Sequence, residues 1–125
     1  MTALRRLAVL CGALVMVGCA QQPAKPLYLW ESFPRQQYDA LLGTPTAIDE
    51  QIRTLQAHAD KARATGAELP PGFRAHLGML QLSAGNAGEA RTLWEAEKAV
   101  FPEASVYMEQ LLKRMSAPLN KAAPT

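Results

Sequence analysis

Residues 70–102 read PPGFRAHLGMLQLSAGNAGEARTLWEAEKAVFP, and the fold turns on this stretch. Phe73, Leu77, Leu80 and Ala84 recur at spacings of four, three and four, the period of a helix buried along one face. Gly85-Asn86 supplies a turn, and Asn86 followed by Glu89 predicts a capping-box-like start in which Asn replaces the usual Ser or Thr. Ala90, Leu93, Trp94 and Phe101 then form the inward face of a second helix, which Pro102 stops. Pro70-Pro71-Gly72 separates this pair from whatever precedes it.

Working outward, the same period recurs on both sides. Upstream, Ile48, Ile52, Leu55, Ala59 and Ala62 make one apolar stripe, with Thr46 as the expected N-cap and Asp49 and Glu50 in the first turn. That helix should end near Gly66. Before it, Tyr28, Trp30, Phe33 and Tyr38 concentrate the aromatics between Leu27 and Leu42. Ser32 ahead of Pro34 can open a short helix there, closed by Gly43-Thr44-Pro45. Downstream, Val106, Met108, Leu111, Leu112 and Met115 predict a last helix, with Lys113 and Arg114 at its C-terminal end. Residues 116–125, SAPLNKAAPT, hold two prolines and little apolar material and read as a disordered tail. No stretch alternates with period two, so the expectation is one small all-α domain over residues 27–115.

Two helices of about a dozen residues, joined by Gly-Asn and ended by Pro, have the dimensions of a tetratricopeptide repeat of about 34 residues. Started at Pro71, the repeat places Leu77, Gly78, Gly85, Ala90, Trp94 and Pro102 at its marker positions. Gly78 and Ala90 are small so that two helices can approach, and Trp94 fills the wedge toward the next helix. Arg74, Gln81, Ala87 and Glu97 depart from the pattern. The same stretch carries a narrower likeness. Pro70-Pro71-Gly72, Ala75-His76-Leu77-Gly78, Gly85-Asn86 and Glu97–Glu103, with Leu27-Tyr28-Leu29-Trp30-Glu31 upstream, resemble the DUF4810 family of small bacterial lipoproteins. That resemblance implies a helical lipoprotein, often encoded beside other lipoproteins, one of them similar to the curli-type secretion channel subunit. It implies a part in an envelope assembly and supplies no catalytic residues.

The first 18 residues, MTALRRLAVLCGALVMVG, read as a secretory signal peptide: Arg5 and Arg6, a short apolar run, then small residues. The run from Leu7 to Val17 falls short of the roughly 20 residues a membrane span needs. Val15-Met16-Val17-Gly18-Cys19 reads as a lipobox, so Cys19 is the expected lipidation site and first mature residue. Two or three acyl chains, at about 0.8 kcal/mol per buried methylene, would hold the chain on its membrane. Ala20 after the cysteine, rather than Asp, favours the outer membrane; the periplasmic face is the expected one, though Ala20 itself does not select it. Residues 19–26 form a short linker with two prolines, reaching roughly 20 Å.

Composition narrows the partners. Taking Arg5 and Arg6 from the 13 basic residues leaves 11 against 11 acidic ones, so no charge surplus points to nucleic acid. Of the 2 cysteines, Cys11 leaves with the signal and Cys19 takes lipid, so no disulfide is expected. His58 and His76 are the only histidines, and neither has metal-ligand spacing or an accompanying nucleophile. No cofactor and no catalytic residue are expected.

The candidate interaction surface is Tyr28, Trp30, Phe33, Arg74 and Glu97. The aromatics read either as a flap over the ends of later helices or as an exposed patch for a partner. Glu97 occupies a repeat position normally taken by a small apolar residue. It therefore needs a partner there, with Arg74, Lys98 or a backbone amide as candidates. The expected role is a non-catalytic scaffold or accessory subunit of an envelope or secretion complex, with a protein partner in the envelope, such as another lipoprotein. An activator of peptidoglycan synthesis is the alternative, and a small-ligand binder or hydrolase using the histidines is a remote third.

Overall fold

Helix ends in this chain are set more by backbone turns than by side-chain caps. A computed structural model describes residues 1, 24, 26–43 and 47–117, in which five α-helices follow one another. Helix α1 (Phe33–Leu41) carries Pro34 in its first turn, where a missing N–H costs no helical bond. Ser32 makes no capping bond; its Oγ instead accepts from Gln36 Nε2 at 2.9 Å. Helix α2 (Ile48–Thr65) begins with Asp49 and Glu50 in its first turn. Ala47 stands at its cap position, and Thr46, the expected cap, lies outside the described residues. Gly66 ends α2 in the left-handed conformation (φ 63°), with its N–H on the carbonyls of Ala62 and Arg63.

Helices α3 (Phe73–Ser83) and α4 (Ala87–Val100) form the hairpin that the sequence predicts. Its turn differs in one detail. Asn86 occupies the N-cap position of α4 but makes no side-chain capping bond; its Nδ2 donates to Gln81 Oε1 at 2.8 Å. Gln81 is buried, and its amide oxygen needs a donor more than the exposed first turn of α4 does. A 3-10 turn at Pro102–Ala104 redirects the chain into α5 (Ser105–Ser116). Among the described residues there is no strand, only an isolated parallel bridge between Tyr28 and Glu68.

Two clusters make the core. Phe33, Ile52, Leu55, Leu69, Phe73 and Leu77 gather between α1, α2 and α3, while Trp94, Met108 and Leu112 join α4 to α5. Each fully buried large side chain contributes about 1.5–3 kcal/mol. Helix α4 is the centre of the C-terminal half, since both α3 and α5 pack on it. Trp94 makes the closest fit: its indole lies over Gly78 and its Nε1 donates to the Ala75 carbonyl at 3.1 Å.

The segment ahead of α1 is fastened to this body. Leu29 N donates to the Glu68 carbonyl at 2.8 Å, and the Leu29 carbonyl lies 2.8 Å from His58 Nε2. A carbonyl only accepts, so Nε2 carries the proton. Lys61 pairs with Glu31 alongside. Apart from Met1, the residues expected to form the signal segment, Cys19, most of the linker and the tail beyond Ala117 lie outside the described residues. Among the described residues no helix is long and apolar enough to cross a membrane.

Candidate interaction site

Helices α3 and α5, both seated on α4, leave a trough between them. It holds a cavity of about 370 Å³, within the range of about 300–1,000 Å³ usual for ligand sites. Glu97, from the last turn of α4, lines it together with His76 and Met79 of α3, Glu103 of the 3-10 turn and Tyr107 of α5. These residues lie far apart in sequence and meet because α4 turns back through Pro102.

Glu97 is 1% exposed. Its Oε1 accepts the backbone N–H of Gly72, the residue capping the start of α3. A carboxylate suits that place, where unsatisfied amides and the helix dipole both favour negative charge. Of the partners the sequence allows, the backbone amide is therefore the one used. Lys98 turns away to Glu95 and Glu109, at 3.4 and 3.6 Å. Glu97 Oε2 has no hydrogen-bond partner, and neither has the buried Nε2 of His76. Burial also holds the pKa of His76 below its ordinary value of 6.5, so the ring stays neutral near pH 7.

The five residues expected to share an interaction surface do not share one. Phe33 is buried (1% exposed), its ring 5.0 Å from that of Phe73, because the start of α1 closes the core over α3. Phe33 is thus a core residue. Tyr28 sits edge-on to Phe101, with centroids 6.1 Å apart, so it covers the end of α4. Trp30 meets Tyr28 edge-on and stays 44% exposed. Arg74 lines a different cavity, of about 300 Å³, with Ala62 and Leu93, and its buried Nη1 has no partner. Glu97 is buried, accepts a backbone amide and lines the trough. Cys19 lies outside the described residues.

Sequence reasoning missed Met79 and Tyr107. Both are large apolar residues off the buried stripe of their helices, 47% and 52% exposed, and that misplacement was the available signal. His58 serves the fold: its ring stands 4.9 Å from Phe73 while Nε2 holds Leu29. Among the described residues no three His, Cys, Asp or Glu side chains group to hold a metal.

Comparison with known proteins gives no matching curated protein and no matching solved structure. A family model does match, that of the Domain of unknown function (DUF4810), over residues 27–111, from the aromatic segment through the first half of α5. The chain belongs to the DUF4810 family.

Proposed function

We propose that this protein is a lipid-anchored accessory subunit of a cell-envelope or secretion complex, working by binding another protein and not by catalysis. The anchor follows from the lipobox ending in Cys19, and outer-membrane placement from Ala20 after it. The observation that carries the binding role is the trough between α3 and α5, whose mouth exposes Met79 and Tyr107. Large apolar side chains grouped at a concave surface are the mark of a contact site. The helical hairpin resembles a tetratricopeptide unit in its Leu77-Gly78, Gly85, Ala90 and Trp94 markers, a unit that serves as a binding surface wherever it stacks.

In-cell crosslinking followed by purification tests this, with Cys19→Ser as the unlipidated control. The expected result is recovery of an envelope or secretion subunit by the wild-type chain and its loss in the variant. Recovery of a peptidoglycan synthase would move the role to cell-wall regulation. Full activity of the complex in a strain lacking this chain would overturn the accessory role.

A further inference from the structure

The charge of the α3–α5 cavity is one-sided. Two carboxylates line it, buried Glu97 at its floor and exposed Glu103 at its rim, and among the described residues no lysine or arginine does. Glu97 uses one oxygen on Gly72 N–H and leaves Oε2, within the protein, without a donor. A buried carboxylate oxygen without a donor is costly, so the site is poised to accept one. His76, neutral by burial, adds no compensating positive charge.

The walls favour a particular shape of cation. Phe101, Met79 and Tyr107 give apolar sides that suit an aliphatic stem, and the Tyr107 ring can face a cation. A bare divalent ion would need several converging oxygens, and no such group exists among the described residues. Met79 and Tyr107 also remain about half exposed around the mouth, more apolar surface than one side chain covers. A main chain carrying the cation would cover them. Methionine is unbranched and repacks readily, so Met79 and the buried Met108, both lining the cavity, can yield to an entering side chain.

We infer that this cavity docks a lysine or arginine side chain presented by an extended segment of a partner protein, with Glu97 and Glu103 as its anions. The inference rests on the scaffold reading above and names the chemistry of its partner.

The test uses the full chain in detergent micelles with methyl-labelled methionine. The probes are pentapeptide libraries, randomised at the flanks, with lysine, norleucine or glutamate fixed at the centre, and n-pentylamine as a free amine. The lysine library should bind about tenfold tighter than the norleucine one and shift the Met79 and Met108 methyl signals. Glu97→Gln keeps an acceptor for Gly72 N–H; it should remove that preference while leaving the norleucine library unchanged. Met79→Lys, at an exposed position, should block binding by supplying a cation from within. If Glu97→Gln fails to fold, Glu103→Gln at the exposed rim gives the same readout, with an expected loss of about threefold.

Equal binding of lysine and norleucine libraries would overturn the cation site. Pentylamine binding as tightly as the peptides would overturn the peptide partner, and no methyl shift by about 5 mM peptide would overturn both. Capture of the cellular partner that survives Glu97→Gln and Met79→Lys overturns this site and leaves the scaffold role standing. No capture by wild type, with lysine peptides still bound, overturns the scaffold role alone.

Discussion

A Cβ placed on Gly78 would stand 2.4 Å from Nε1 of Trp94 and 2.7 Å from its Cδ1, so the two residues occupy one another's only free space. Helix propensity alone would favour Gly78→Ala by about 0.8–1.0 kcal/mol. Against that, over-packing costs about 1–3 kcal/mol. Displacing the indole also loses its bond to the Ala75 carbonyl, about 1 kcal/mol more. The clash wins. Thermal unfolding followed by circular dichroism should show Gly78→Ala destabilised by about 1–3 kcal/mol, at about 4–8 °C per kcal/mol. An unchanged midpoint would mean that α3 and α4 are not in this close register.

Glu97 should be replaceable by glutamine far better than by alanine. Alanine removes the acceptor for Gly72 N–H and leaves a void in a buried place, together about 2–4 kcal/mol. Glutamine keeps an oxygen on the amide and should cost at least about 1 kcal/mol less. Urea unfolding of the two variants measures the difference; equal losses would assign the cost to charge and not to the capping bond.

Replacing His58 by phenylalanine keeps a ring against Phe73 and deletes the bond to the Leu29 carbonyl. The loss of about 1 kcal/mol should be local, speeding exchange of the Leu29 amide about fivefold. Amides within α4 and α5 should exchange as before. A uniform change across all helices would show that the segment and the helical body open together.

Acid should weaken the protein through two groups, His76 and Glu31. Burial lowers the pKa of His76 in the folded chain, so the unfolded chain takes up its proton first. Stability is therefore whole above the ordinary value of 6.5, falls as pH drops below it, and levels off once pH passes the lowered folded value. Glu31 works from the other side: the Lys61 hydrogen bond holds its carboxyl below the ordinary 4.5. Its contribution is present above 4.5 and disappears as pH falls through the lowered folded value. His76→Gln should remove the loss that begins below 6.5, and Lys61→Met the loss that begins below 4.5. Urea midpoints taken from about pH 7.5 to about pH 3 would resolve them.

The C-terminal half was legible because its determinants are local and differ in size. Gly78, Ala90 and Trp94 announce a close helix pair, and Gly85 and Pro102 mark where the chain must turn. The stripe of α2 read correctly at Ile52, Leu55 and Ala62, whereas Ile48 is 40% exposed because the helix starts beyond the core. What escaped was the fastening of Leu29 to Glu68 and His58, since backbone bonds between distant segments leave no composition signal. Phe33 escaped for a related reason. An aromatic on a short helix reads alike whether it faces a partner or its own core, and only the approach of Phe73 decides. The trough was invisible as a unit, because Glu97, Glu103, His76 and Tyr107 converge through the reversal at Pro102.

The attachment of Leu29 also fixes where mechanical load enters the domain. A pull on the N-terminal side reaches Leu29 before any helix, and there it meets the Glu68 carbonyl and the His58 ring. Those two bonds act as a strain relief, as a knot in a cable spares the plug. While they hold, a pull ahead of Leu29 is shared between α2, through His58, and the wall of the α3–α5 trough, through the Tyr28 ring on Phe101, and Phe33 stays seated on Phe73.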